Sequence, residues 1–241
     1  MARLSLLLIA ALHLGTALAA CSTSPQKWIA HDKVKGHEGS PKVPGGVAGQ
    51  LIKKYQPYLF VETGCVPFPA VNSNGELNSG LKHSGAMNGK CSKSTGQVYA
   101  RATMHKNRYA IMYAWYFPKD QNVDGPGNLG HTHDWENIVV WLSGKTSGAR
   151  VTGISYSAHG KYRKYKGGST PKVKYSNIGD GSTHSLWKTD RTGGRQPLID
   201  RGQLSGKARA ALEKANFGSA NTPFIDCRFK SELDKAWSND F

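Results

Sequence analysis

The chain has 241 residues and carries 32 Lys and Arg against 16 Asp and Glu, which gives a formal net charge of +16. This length suits one domain with a sizeable core, and the sequence shows no internal repeat and no domain linker. The positive charge fits acidic partners such as anionic headgroups, or it serves solubility alone. No nucleic-acid-binding motif accompanies the basic residues, so nucleic acid is not expected as a partner.

The first 20 residues have the features of a secretory signal peptide. A short basic start ending at Arg3 precedes the mostly apolar run Leu4–Leu14, and small residues follow up to Ala20. The run is too short to cross a bilayer, which takes about 20 residues. The sequence therefore predicts a secreted protein whose mature domain covers residues 21–241. A bacterial lipoprotein cleavage box ending in Cys21 is the minority alternative.

Four cysteines remain in the mature chain, and an even count in a secreted protein indicates two disulfides. Three pairings are possible, and the sequence alone does not choose among them. We favour Cys65–Cys91, which closes a turn-rich loop, and Cys21–Cys227, which ties the two ends together. No pair has the C-x-x-C spacing typical of zinc sites, so a zinc site is a weak alternative.

Short strands separated by turn signals predict a single-domain β-sandwich flanked by helices. The run Tyr109–Phe117, bounded by Pro118, is apolar on both faces and predicts a central strand. Ser205 is placed to cap a helix, and Gly218 is placed to end it. In chain order we expect a helix over 47–55, strands over 58–62, 97–103, 109–117, 134–142, 150–157 and 172–176, helices over 205–216 and 229–237, and loops over 66–90, 121–130 and 161–171.

Residues 130–136, Gly-His-Thr-His-Asp-Trp-Glu, concentrate four possible metal ligands in one short segment. Alternate side chains on a strand share a face, so Asp134 and Glu136 point the same way and a cation relieves their repulsion. Two carboxylates favour Mg²⁺ or Ca²⁺ over zinc. His131, in the preceding loop, can reach the same ion. His133 has the opposite parity and is expected to form a hydrogen bond within the fold instead.

Asp120 follows closely after the preceding predicted strand, so its carboxylate is expected to face Asp134 across the gap. Asp124, in the following loop, is the less favoured substitute. The alternative is a solvated strand end with incidental charges. However, Ile138–Trp141 continue as a core strand, and charged groups that enter a core need partners. The sequence therefore predicts one divalent cation, Mg or Ca, at this strand end.

These segments also resemble a known family. Ala110–Asp120 followed by Gly130–Glu136 resembles the hallmark region of the NPP1-type necrosis-inducing proteins, also called necrosis- and ethylene-inducing peptide-like proteins, whose heptad is GHRHDWE. The resemblance runs from about Gly64 to Trp237. This chain departs from the family in three places: Thr132 replaces the heptad arginine, the 121–129 connection is longer, and the stretch 177–181 lacks a tryptophan common in the family.

The resemblance implies that residues 21–241 form an NPP1-type domain, a β-sandwich flanked by helices that is similar to actinoporin-type pore-forming toxins. It implies binding to glycosyl inositol phosphoryl ceramide headgroups of plant plasma membranes, followed by membrane damage. It also makes residues 110–120 a segment that a plant immune receptor recognises. By position it assigns the metal to Asp120, Asp134 and Glu136, with His131 and His184 around it and His159 in the same neighbourhood.

Two other functions stay open at this point. One is a non-cytolytic glycan- or glycolipid-binding protein of the same fold. The other is a metal-dependent hydrolase, because the His-x-His-Asp of residues 131–134 faintly resembles binuclear metal-hydrolase motifs. Those motifs need the aspartate one residue later and further histidines nearby. No nucleophile elbow appears either, so an enzyme is not expected.

Overall fold

The computed structural model describes residues 21–127, 130–179 and 183–241. The signal-peptide prediction for residues 1–20 lies outside these ranges. The strands and helices follow in chain order: β1 Trp28–Ile29, α1 Gly46–Lys54, β2 Tyr58–Val61, β3 Leu77–Asn78, β4 Val98–His105, β5 Arg108–Gln121, β6 Gly130–Leu142, β7 Val151–Ala158, β8 Lys161–Lys166, β9 Lys172–Ser176, β10 Ser185–Lys188, β11 Leu198–Asp200, α2 Gly206–Lys214 and α3 Asp226–Ala236.

Two sheets build the body of the protein. The larger has six strands in the order β11-β4-β5-β6-β7-β8, and the smaller has three in the order β10-β9-β2. Side chains from both sheets meet in the core, where the ring of Phe117 on β5 stacks on that of Tyr175 on β9 at 3.8 Å. The helices pack outside, with α1 against β4 and α3 against β7 and β8. The prediction of a mostly β domain with flanking helices is confirmed.

Strand β5 lies in the middle of the larger sheet, and every residue from Tyr109 to Gln121 is buried. The prediction of a central strand is therefore confirmed, but the expectation that it stops at Pro118 is wrong. Strand β4 pairs with β5 only as far as Ala114, and the pairing of β5 with β6 passes over Pro118, so proline is tolerated at this position. The Pro118 carbonyl accepts a hydrogen bond from the Leu81 N–H at 2.7 Å.

Three segments that we expected to be loops contain strands. The basic segment 161–166 forms β8, the edge of the six-stranded sheet, where exposed lysines discourage pairing with a second chain. The segment 66–90 contains the two-residue strand β3. Strand β6 begins at Gly130, so His131 lies within a strand instead of the preceding loop.

Helix α2 starts as the sequence predicts, because the Ser205 hydroxyl accepts a hydrogen bond from the Ala208 N–H at 3.0 Å. It ends earlier than expected. Ala215 is already extended, so the helix stops at Lys214 and Gly218 lies beyond its end.

Both favoured disulfides are present, Cys21–Cys227 and Cys65–Cys91. The first disulfide uses the Cys21 sulfur, which a lipoprotein would need for its lipid. Across the described ranges, none of the helices is long and apolar enough to cross a bilayer.

Candidate metal centre

The candidate site lies where β5 and β6 approach the 121–130 connection. Asp120 is opposite His131, and Phe117 is opposite Asp134, in an antiparallel pairing that passes over Pro118 and His133. Side chains three residues apart on a regular strand point to opposite faces. His133 interrupts the alternation, because its backbone is in the left-handed region at φ 65°. His131 and Asp134 consequently line the same cavity.

Three carboxylates line that cavity and are almost completely buried. Asp120 is 1% exposed, and Asp134 and Glu136 are each 6% exposed. The Tyr175 hydroxyl donates a hydrogen bond to Asp134 at 2.9 Å, and the Ser157 hydroxyl donates one to Glu136. Protein donors therefore hold these acidic side chains in place.

Burial makes two of these carboxyl groups hard to ionise. It raises the pKa of Asp134 well above 3.8, and the nearby charge of Asp120 raises it further. Burial likewise raises the pKa of Glu136, with the charge of Asp134 as the next cause. Among the described residues, the three carboxylates form no ion pair with a lysine or arginine. A cation placed among them would favour their charged forms.

His184 holds Asp120 in position. The His184 backbone N–H lies within 3.1 Å of both carboxylate oxygens, and Nδ1 lies 2.6 Å from Oδ1. Nε2 lies 3.0 Å from the Thr63 hydroxyl, so both ring nitrogens have protein partners. The ring stacks on Tyr175 at 4.5 Å, and a Cβ at Gly64 would come within 2.6 Å of Nε2. In this arrangement His184 orients Asp120 and has no ring nitrogen left for direct ligation.

His133 points into an aromatic cluster on the other side of the sheet. Its Nδ1 lies 2.6 Å from the Tyr116 hydroxyl, and its ring contacts those of Trp28, Tyr116 and Phe217. Burial lowers the pKa of His133 to about 4, so the ring is neutral at physiological pH. The hydrogen bond within the fold that the sequence suggested for His133 is therefore present.

His131 and His159 both line the cavity. His131 Nε2 lies 3.7 Å from Asp120, and its Nδ1 lies 2.7 Å from the His133 carbonyl oxygen. Asp124 is engaged elsewhere, since its carboxylate accepts a hydrogen bond from the Met87 N–H at 2.7 Å. The structure thus brings Asp120, and not Asp124, beside the other carboxylates.

The sequence did not predict that α3 and β8 contribute to this cavity, which has a volume of about 270 Å³. Helix α3 contributes Arg228, Glu232 and Lys235, and β8 contributes Lys161 and Tyr162. The spacing of the three helical residues places them on one face. That spacing was visible in the sequence, but nothing in it indicated which part of the protein the face would meet.

The donor set suits a hard divalent cation, because Mg²⁺ and Ca²⁺ prefer carboxylate oxygens. Within the described ranges, the three buried carboxylates form no ion pair with a lysine or arginine. The charge of Arg163 only partly opposes the rise in the pKa of Glu136. In the same ranges, no three His, Cys, Asp or Glu side chains form a ready-made ligand cluster. Hydrogen bonds to the surrounding protein hold the carboxylates instead, so ion binding requires their oxygens to turn toward one point.

The chain is similar to known proteins in both sequence and fold. Residues 49–236 match the family model described as Necrosis inducing protein (NPP1). "NLP effector protein Pc107869" of Phytophthora capsici is 40% identical over 222 residues, which are 88% of this chain and 63% of that protein. The chain therefore spans less than two thirds of this relative's length.

Several solved structures share the fold of this chain. "NLPPya in complex with mannosamine" superposes with a TM-score of 0.80 at 37% identity, over 88% of this chain and 100% of that one. "Crystal structure of non-toxic HaNLP3 protein" superposes with a TM-score of 0.78 at 37% identity, over 86% of this chain and 98% of that one. The matching family model, the relative and the shared fold show that this chain belongs to the necrosis inducing protein (NPP1) family.

Proposed function

We propose that the protein is a secreted, necrosis-inducing cytolysin that acts on plant plasma membranes. It binds the sugar headgroup of glycosyl inositol phosphoryl ceramides at a site built from Asp120, Asp134 and Glu136 with one divalent cation, Mg or Ca. Bilayer damage follows, as with actinoporin-type pore-forming toxins, to which we expect the fold to be similar. When bound, the cation supplies a positive centre for sugar hydroxyl oxygens. No covalent chemistry is involved.

The observation that carries the proposal is the burial of three carboxylates in one cavity of a protein from this family. A solved family structure that holds mannosamine supports a sugar as the ligand. His184 and Tyr175 fix the carboxylates through hydrogen bonds at 2.6 and 2.9 Å. His131, less buried than the carboxylates, borders the cavity as a further contact for the cation, directly or through water. Two disulfides suit an oxidising extracellular environment.

Dye release from plant plasma-membrane vesicles tests this function. The wild type is expected to release dye in the presence of Mg²⁺ or Ca²⁺ and to lose that activity when a chelator is added. Asp134→Asn is expected to be inactive under both conditions. Tyr113→Phe, a buried change in the same sheet whose hydroxyl bonds the Ile52 carbonyl, serves as the control and should release dye normally. Chelator-resistant release by Asp134→Asn would count against the proposal.

A second candidate is a non-cytolytic protein of the same fold that binds sugar lipids or glycans. It is favoured by the similarity to the structure described as non-toxic, which shows that the fold itself does not require toxicity. Binding to glycolipid vesicles without dye release would select this candidate. Binding together with release would select the cytolysin.

The segment 110–120 also carries the proposed recognition by a plant immune receptor. All of its side chains are buried in β5. A receptor could therefore contact it only after the fold opens or the chain is cut. We expect a synthetic peptide of this segment, or the protease-digested protein, to trigger a receptor response that the intact, folded protein triggers less strongly.

A further inference from the structure

A second group of residues lining the cavity is mostly basic. Arg228, Glu232 and Lys235 lie on one face of α3, four and three residues apart. Lys161 opens the edge strand β8. All of them line the cavity that also contains Asp134. The cavity therefore has an acidic part and a part with basic side chains.

Part of the positive charge is already balanced. Lys235 Nζ donates to Glu232 Oε1 at 2.8 Å, and the Tyr162 hydroxyl donates to Glu232 Oε2 at 3.0 Å. Arg228 and Lys161, by contrast, have no carboxylate within ion-pairing distance among the residues that the structure describes. These two side chains remain available for a negatively charged group.

We propose that Arg228 and Lys161 form a subsite for an anionic group, phosphate or carboxylate, on the saccharide bound in this cavity. The inference rests on the proposed headgroup binding and adds which residues contact which part of the ligand. A guanidinium offers a planar pair of N–H donors that matches two oxygens of a phosphate or carboxylate. The sugar hydroxyls occupy the acidic part near Asp134, and the anion occupies the basic part.

The volume of the cavity also limits how large the ligand can be. A cavity of about 270 Å³ lies just below the usual range of ligand-binding pockets, roughly 300 to 1,000 Å³. It suits one sugar ring with one charged substituent. Two sources offer this chemistry: the phosphate-bearing headgroup of a glycosylated inositol sphingolipid and the uronic acid of a soluble acidic glycan.

The test compares two double variants with the same loss of charge on the same two elements. Arg228→Gln with Lys161→Gln alters the subsite. Lys230→Gln with Lys166→Gln is the control, because both of these lysines are exposed on α3 and β8 and neither lines the cavity. Calorimetric titration in MgCl₂ measures binding of glucose and glucuronate. Co-sedimentation measures binding to phosphatidylcholine vesicles with and without glycosyl inositol phosphoryl ceramide.

We expect the wild type to bind glucuronate, the glycolipid vesicles, or both, more tightly than glucose. The subsite variant should lose about 10- to 100-fold of that affinity, as expected for charge-assisted hydrogen bonds. Its affinity for glucose and its unfolding temperature should stay at the control's values. A loss confined to vesicles identifies the lipid phosphate as the source, and a loss for glucuronate identifies the uronic acid.

Equal losses in the subsite and control variants would overturn the inference, because net charge and not the subsite would then explain binding. Wild-type affinities that do not differ between glucose and either anionic ligand would overturn it too, and would leave the proposed headgroup binding intact. Absence of wild-type binding to both sugars and to glycolipid vesicles would overturn the inference together with the proposed function.

Discussion

Replacing Tyr175 with phenylalanine removes one hydroxyl from the candidate metal centre and little else. That hydroxyl donates to Asp134 at 2.9 Å, and both side chains are buried. The ring stacks on Phe117 at 3.8 Å and on His184 at 4.5 Å. Phenylalanine keeps both ring contacts, so the effect of the change can be attributed to the hydrogen bond.

The cost of Tyr175→Phe depends on the charge of Asp134. Without a cation, burial raises the pKa of Asp134 and favours its neutral form, so a bond between neutral groups is lost, worth about 1 kcal/mol. With a cation the carboxylate is ionised, and the same bond contributes about 2 kcal/mol. The difference of about 1 kcal/mol appears as a roughly fivefold weaker affinity for the cation.

Urea unfolding with and without CaCl₂ or MgCl₂ measures how much free energy of unfolding the variant loses in each condition. Tyr113→Phe is the control, because its buried hydroxyl donates to the Ile52 carbonyl at 2.7 Å, away from the carboxylates. We expect Tyr113→Phe to lower the free energy of unfolding by about 1 kcal/mol in both conditions. If the loss for Tyr175→Phe is the same with and without the cation, the Tyr175 hydroxyl does not stabilise the ionised form of Asp134.

Further expectations concern stability elsewhere in the chain. Cys65→Ala with Cys91→Ala opens a loop with a sequence separation of 26 and should lower the free energy of urea unfolding by about 3.5 kcal/mol. Lys174→Met removes the main cause of the lowered pKa of Glu62. At neutral pH the change should lower the free energy of unfolding by less than about 1 kcal/mol. In thermal melts, the difference from the wild type should vanish as the pH falls below 4.5, because Glu62 then becomes protonated. Gly130→Ala places a Cβ against the Asp120 carbonyl oxygen of the adjacent strand, so it should lower the free energy of unfolding by about 1–3 kcal/mol and weaken cation binding measured by titration.

The central part of the sheet could be predicted because its residue pattern is unambiguous. The run Tyr109–Phe117 is apolar on both faces, and only a strand with neighbours on both sides buries it in this way. Asp134 and Glu136 could be paired from their spacing alone. Both predictions depend on strand periodicity, which is a local property of the chain.

Other parts of the site depend on geometry that local patterns do not encode. His131 shares a cavity with Asp134 only because the positive φ of His133 reverses the alternation of side chains. A bulky histidine gives no sign of that backbone conformation, since glycine is the usual residue there. His131 lines the cavity as expected, but it does so from strand β6 and not from a loop.

Contacts between residues that are far apart in the sequence explain the remaining differences between prediction and structure. Strands β1, β3 and β11 have two or three residues each, too few to show a period of two, and pairing with distant segments defines them. The face of α3 that carries Arg228 was visible as a helical spacing. Its place in the cavity that Glu136 also lines follows from tertiary contacts between α3 and β8, which the sequence does not specify.

Direct titration of the purified, metal-free protein with Mg²⁺ and Ca²⁺ tests most directly whether the buried carboxylates hold a cation. We expect the wild type to bind one ion per chain, and Asp134→Asn and Glu136→Gln each to lose that binding while remaining folded. A wild type that binds neither ion at millimolar concentrations, or variants that bind as well as the wild type does, would show that these carboxylates do not hold a cation.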